Sequence, residues 1–145
     1  MSVDWKIDMH FHSISSDWWS SNEQIMQEAL KKWFYLAICT DHDFINKEFV
    51  ELAREKWIQS YQWVEISCFD PEINKHFHLA CYAQEFKWRI FDILEKSRNG
   101  RIEKIKAQVV LLRNNWFDIE YDKFVNFFQK LWVNTSNLNI LHLCQ

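Results

Sequence analysis

Glycine and proline are almost absent from this chain, with one of each in 145 residues. Average usage of about 7% would give roughly ten glycines. A folded domain with a single glycine has almost no residue free to adopt positive φ, so its turns and helix ends lose their usual solution. Also missing are a CxxC pair among the four cysteines, a basic and apolar leader at Met1-Ser2-Val3-Asp4, and any apolar run near the roughly eighteen residues of a membrane span. These absences point to reduced, buried thiols and to a soluble, cytoplasmic protein without a membrane partner. Basic charge is not in excess either. A net charge of −3 excludes the strong basic patch of a broad nucleic-acid binder, while leaving room for a small nucleotide or a strand end held through metal.

What is present is aromatic. Hydrophobic residues make up 48% of the chain and aromatics 17%, which excludes collagen-like, linker-like and disordered readings. The length fits one domain, or one domain plus part of another, able to bury about two-thirds of its unfolded surface. Nine tryptophans stand beside the single glycine. A low-GC genome would deplete Gly and Pro, but it would not enrich Trp.

Hydrophobic spacing predicts strands at Ile7–Phe11, Phe34–Cys39, Val64–Ser67 and Phe77–Tyr82, and helices at Ser21–Lys32 and Asn46–Lys56. Helices separate the first three strands, which argues for βαβ units in a parallel sheet or barrel. From Trp88 the pattern becomes helical, with Ile102, Ile105, Val109 and Leu112 on one face and a further helix at Tyr121–Leu131. Phe124, Phe127 and Phe128 fit a helix core better than a base-stacking platform.

Four predicted helices end alike, at Trp33, Trp57, Trp116 and Trp132. Each tryptophan occupies the position where a left-handed glycine normally closes a helix. A side chain there costs roughly 1–2 kcal/mol, so four such sites approach the 5–15 kcal/mol that stabilises a whole domain. The pattern is what results when UGA codons read as glycine in the organism are translated as tryptophan.

The chemistry lies at strand ends. His10 and His12 share one face of the first strand, and Asp17 follows in the turn. His42 lies in Thr40-Asp41-His42-Asp43, just past the second strand; Glu65 lies in the third and His78 in the fourth. Imidazoles and carboxylates without thiolates suit Zn²⁺, Mn²⁺ or Fe²⁺ at a hydrolytic site. Asp8, Asp41 and Asp43 can orient ligand imidazoles, with capping or local turn bonding as the equal alternative. His76 reads as a surface or supporting group. Arg98, Arg101 and Lys75 are candidate phosphate contacts, with solvated charges the plainer reading.

These stretches, Ile7-Asp8-Met9-His10-Phe11-His12-Ser13, Ser16-Asp17-Trp18, Ala37-Ile38-Cys39-Thr40-Asp41-His42-Asp43, Trp63-Val64-Glu65-Ile66-Ser67 and His78-Leu79-Ala80-Cys81-Tyr82, resemble the PHP superfamily of polymerase and histidinol phosphatase phosphoesterases. That family carries glycine where this chain has Trp18, Trp33, Trp57 and Trp63, and Trp116 and Trp132 also align with its glycines; Trp5 and Trp88 match less strongly, and Trp19 reads as a true tryptophan. Restoring glycine at Trp18 and Trp63 would relieve crowding at the metals.

The resemblance implies an α/β fold: the N-terminal part of a distorted (β/α)₇ barrel over residues 1–87, a helical insertion over 88–139, and the start of a return to the barrel at 140–145. It implies metal ligation by His10, His12, Asp17, His42, Glu65 and His78, with Glu65 bridging two of up to three divalent ions and an activated water as nucleophile. The most similar subgroup holds nucleotide bisphosphate phosphatases and 5′-to-3′ exonucleases, which makes a phosphorylated small molecule, nucleotide or nucleic-acid end the expected partner. Asn139-Ile140-Leu141-His142-Leu143 is similar to an element closing the insertion. Its arginine is absent here, and His142, like Arg101, stands as a candidate substrate or metal contact. The family's later ligands have no counterpart, so the barrel is expected to be incomplete and the chain inactive alone. The alternative is a non-catalytic metal-binding or regulatory module.

Overall fold

The computed structural model describes residues 6–131 and Leu138. Trp5, Trp132, His142, Cys144 and the 140–145 segment lie outside the described residues. Four strands and four helices follow in the order β1 (Lys6–Phe11), α1 (Asn22–Lys31), β2 (Phe34–Cys39), α2 (Lys47–Glu55), β3 (Gln62–Asp70), β4 (Lys75–Ala83), α3 (Arg89–Asn114) and α4 (Tyr121–Lys130). The fold is mixed α/β.

β1 and β2 pair in parallel, joined by α1, and β3 approaches β2 in the same sense through bridges at Leu36–Gln59 and His42–Glu65. β3 and β4 instead form an antiparallel hairpin running from Gln62–Ala83 to Asp70–Lys75. The expected βαβ sense therefore holds up to β3 and ends there. Both hairpin strands outrun their hydrophobic signal, because the ladder hydrogen-bonds polar and apolar residues alike.

Helix starts follow local chemistry. Ser21 and Gln24 form a capping box at α1, each side chain accepting the other's backbone N–H. Asn46 caps α2 by accepting from Phe49 N at 3.0 Å. The apolar faces of both helices, Met26 and Ala29 from α1, Phe49 and Ala53 from α2, close over Ala37 and Cys39 of β2. Val64 and Ile66 of β3 pack with Ile45 and Leu94, seating α3. Ile105 and Val109 of α3 pack on Phe124 and Phe128 of α4, which build core as expected, whereas Phe127 is exposed.

Helix ends expose the tryptophan problem. Trp33, Trp57 and Trp116 have φ of 61°, 60° and 71°. At α2 and α3 the bonds are those of a Schellman motif: Trp57 N to Arg54 O with Ile58 N to Ala53 O, and Trp116 N to Arg113 O with Phe117 N to Leu112 O. Trp88, the N-cap of α3, has φ 51° and ψ −107°, a conformation that belongs to glycine. The four indoles are 70%, 94%, 86% and 97% exposed in chain order 33, 57, 88, 116. A core role for them is excluded. Trp18 and Trp63 have no positive φ. Trp18 is 57% exposed and Trp63 stacks on Tyr82 across the hairpin, so neither produces the crowding expected at the metals.

Candidate metal centre

The end of β1, the 12–17 turn, the loop after β2 and the β3–β4 hairpin meet at one place. The Nε2 atoms of His10 and His12 lie 3.3 Å apart, and Glu65 Oε2 lies 3.3 Å and 3.1 Å from them. Asp17 sits 3.1 Å from His12 Nδ1 through Oδ1 and 3.4 Å from His42 Nε2 through Oδ2. Glu65 Oε1 lies 3.0 Å from His78 Nδ1.

All six residues expected from the sequence are thus brought together. They form three overlapping groups, His10-His12-Glu65, His12-Asp17-His42 and His42-Glu65-His78, in each of which the candidate ligand atoms lie within 4.8 Å of one another. His78 arrives differently from the rest. It projects from the middle of an antiparallel strand, opposite Ser67, rather than from the end of a parallel one.

The backbone explains the convergence. Glu65 N donates to Asp41 O and Asp43 N donates to Glu65 O, which seats His42 beside Glu65. Thr40 N donates to Phe11 O at 2.8 Å and ties the ends of β1 and β2 together.

The electrostatics favour the charged forms of Asp17 and His12. Burial opposes the charge on Asp17, but hydrogen bonds from His12 and His42 outweigh it and hold the carboxyl far below its ordinary range. Burial likewise opposes charging of His12, yet Asp17, Glu65 and Asp41 together raise its pKa. His42 Nδ1 and Glu65 Oε2 are buried without a hydrogen-bond partner among the described residues. Glu65 Oε2 does have the Nε2 atoms of His10 and His12 at 3.3 and 3.1 Å, close enough for all three to share one ion. Clustered nitrogen and oxygen atoms with no thiolate among them fit Zn²⁺, Mn²⁺ or Fe²⁺.

Beside this cluster a cleft of about 560 Å³ has Asp17, His42 and His78 on one wall and Lys96, Arg101 and Lys104 of α3 on the other. A second cleft of about 680 Å³, between α1 and the β1–β2 pair, contains only His12 of the six.

Three assignments change. Arg98 and Arg101 are not solvated helix charges: Arg98 donates to Asp43 O at 2.9 Å, and Arg101 donates to the Asp43 carboxylate and to Ser67 Oγ. Asp43, at φ 52°, therefore holds α3 rather than an imidazole. Asp41 also hydrogen-bonds no imidazole. Its carboxylate accepts from Ser13, Ser16, Asn46 and Cys39. Ser13, Ser16 and Asn46 gave no sequence signal beyond being polar residues near the HxH and TDHD stretches.

No family model and no curated protein matches the chain. Its fold is shared by two solved structures. One, assigned as a metal-dependent phosphoesterase from Bifidobacterium adolescentis, is 21% identical with a TM-score of 0.69, over 84% of this chain and 42% of that one. The other, an amidohydrolase from Chromobacterium violaceum solved with bound sulfate and no metal, is 22% identical with a TM-score of 0.78, over 94% and 47%. The likeness to both is one of fold. The chain spans less than half the length of either neighbour. The His/Asp/Glu cluster sits where the end of β1 and the loop after β2 meet Glu65 of β3 and His78 of β4, close to where open α/β sheets bind ligands.

Proposed function

We propose that this chain is the metal-carrying part of a phosphoesterase that hydrolyses an ester of a nucleotide or of a nucleic-acid 5′ end. The observation that carries the reading is the convergence of four imidazoles and two carboxylates around the unpartnered His42 Nδ1 and Glu65 Oε2. His10, His12, Asp17, His42, Glu65 and His78 would hold divalent ions, up to three in a complete domain. Such ions supply Lewis acidity and a nucleophilic water near neutral pH. Glu65 turns one oxygen toward His10 and His12 and the other toward His78, which suits it to bridge two ions. His12 offers Nε2 to one group while Nδ1 faces Asp17, an arrangement that fixes its tautomer and aims its lone pair.

The α3 wall supports an anionic substrate. Lys96 and Lys104 line this cleft with the cluster, where they would offset charge on phosphoryl oxygens, and Arg101 would contact substrate only beyond its pairing with Asp43. A barrel segment over 1–87 and a helical insertion over 88–139 belong to the same reading, as does His142 as a contact. A reducing, cytoplasmic setting is part of it too, since Cys39 donates its thiol to Asp41.

The chain's span of less than half its neighbours favours a second reading for the isolated form, a metal-binding module without turnover. The test is direct. Metal content and hydrolysis of nucleotide bisphosphates and 5′-phosphorylated oligonucleotides are measured on the 145-residue protein. Metal binding without turnover is expected. Metal-dependent turnover would overturn the inactive form, and absence of metal binding would overturn the whole reading.

The helix-end geometry supports the recoding. Trp33, Trp57, Trp88 and Trp116 are glycines in the organism, and Trp18, Trp63 and Trp132 join them on the resemblance. UGG codons at the first four positions, or native peptide masses that contain tryptophan there, would remove the proposal.

A further inference from the structure

Asp41 is fully buried next to the candidate ligand His42, yet it belongs to none of the three groups of potential ligand atoms. Its Oδ1 accepts from Ser13 N at 2.6 Å and Ser16 Oγ at 2.7 Å. Its Oδ2 accepts from Ser13 Oγ at 2.7 Å, Asn46 Nδ2 at 2.9 Å and Cys39 Sγ at 3.2 Å. All of these donors are neutral. A buried carboxylate without a cationic partner is costly unless its oxygens are saturated with donors, and here they are.

We propose that Asp41 is the positioning residue of the metal centre: its carboxylate fixes the 12–17 turn, and so His12 and Asp17, against the strand ends that carry His42 and Glu65. The inference rests on the metal reading above.

Four ligands meet through this one residue. Ser13, which follows His12, is bound through both its backbone N–H and its hydroxyl. Ser16 precedes Asp17, and its oxygen also lies 3.4 Å from His12 Nδ1 and 3.3 Å from Asp17 Oδ1. A hydroxyl has one proton, and the shortest contact places it on Asp41. His42 is the next residue in sequence, and the Asp41 carbonyl accepts from Glu65 N. A capping role is excluded, because Asn46 caps α2 while Asp41 binds residues 25 and 28 positions upstream.

Asparagine cannot reproduce this pattern. In one amide orientation its NH₂ faces Ser13 N, a donor that cannot rotate away. In the other it faces Asn46 Nδ2, whose reversal would cost the α2 cap. The first orientation loses an anchor of the ligand turn and the second sets two donors against each other at Asn46, while size and shape are kept.

The experiment is a Co²⁺ titration of the full chain, read by visible absorption, for wild type, Asp41→Asn, Ser16→Ala and Val109→Ala. Val109 is buried in the α3–α4 cluster, away from the network, and reports loss of stability alone. Asp41→Asn is expected to weaken Co²⁺ binding about tenfold or more and to alter the ligand-field bands, with Ser16→Ala weaker in the same direction. Val109→Ala is expected to lower the melting temperature and leave Co²⁺ affinity in place. If Asp41→Asn does not fold, Ser16→Ala carries the test. Wild-type affinity in the folded Asp41→Asn or Ser16→Ala protein, or an equal loss in Val109→Ala, would overturn the positioning role. Wild-type protein that binds no more Co²⁺ than Glu65→Gln would instead overturn the metal reading on which it depends.

Discussion

Arg101 of α3 donates to the carboxylate of Asp43, which is fully buried one residue after the candidate ligand His42, and so joins positions 58 residues apart. Burial lowers the guanidinium pKa, while the charge of Asp17 acts to raise it. Arg101 also reaches Ser67, whose own N–H donates to Asp43 Oδ1 at 2.8 Å. The helix that faces the metal cluster is therefore held by a residue of the ligand loop itself.

Replacing Arg101 by alanine is expected to destabilise the chain by about 3 kcal/mol, because a buried carboxylate is left without its cation. Urea unfolding measures this. The double variant Arg101→Met/Asp43→Asn should lose less than the two single changes added together. Full additivity would mean that the pair does not act as a unit.

Metal-free protein should be more stable near pH 6 than near pH 8. The His12 pKa is raised in the fold, so its contribution is fully present below the unfolded value of about 6.5 and is lost as pH rises through the folded value. The lowered Asp17 pKa acts in the opposite range, giving stability above about pH 4 that disappears only in acid. Added metal must displace the proton on His12, so its affinity should climb over the interval in which the apo protein weakens. Melting curves in chelator across this range, and metal titrations at both ends, provide the check.

Glu65 stands in two of the three ligand groups, whereas His10 and His78 stand in one each. Glu65→Gln should accordingly lower bound metal more than His10→Ala or His78→Ala, with affinity reduced about tenfold or more. Metal content after dialysis decides it. Equal losses in all three variants would argue against a shared carboxylate.

Glycine at Trp57 or Trp116 should stabilise the chain by about 1 kcal/mol each, since it removes the left-handed penalty while giving up an indole that makes little contact. Trp88→Gly belongs to the same class. Trp19→Gly, at a position without positive φ, should bring no such gain. A fall in melting temperature for Trp57→Gly and Trp116→Gly would contradict the glycine assignment.

Much of this fold is legible locally. The apolar run Phe34–Cys39 is β2 residue for residue, and the helix ends at Trp33, Trp57 and Trp116 fall at the expected positions. The six candidate ligands could be found because each lies in or just after an expected strand with a recognisable neighbour, such as the HxH spacing of His10 and His12, although Glu65 and His78 fall inside strands that run longer than expected. The turn-and-loop network could not. Asp41 is explained by Ser13 and Ser16, and Asp43 by Arg101, partners 25 to 58 positions away with no periodicity to announce them. The antiparallel sense of β4 was equally hidden, since alternation reveals a strand but not its direction.

The exposed indoles have a consequence at the bench. Trp18, Trp19, Trp33, Trp57, Trp88 and Trp116 are 56% to 97% exposed in the folded chain, so their emission is already close to that of an unfolded polypeptide. The fluorescence of these six will therefore change little on unfolding. Trp63, stacked on Tyr82 with its indole nitrogen buried, is the chromophore among the described residues placed to report it.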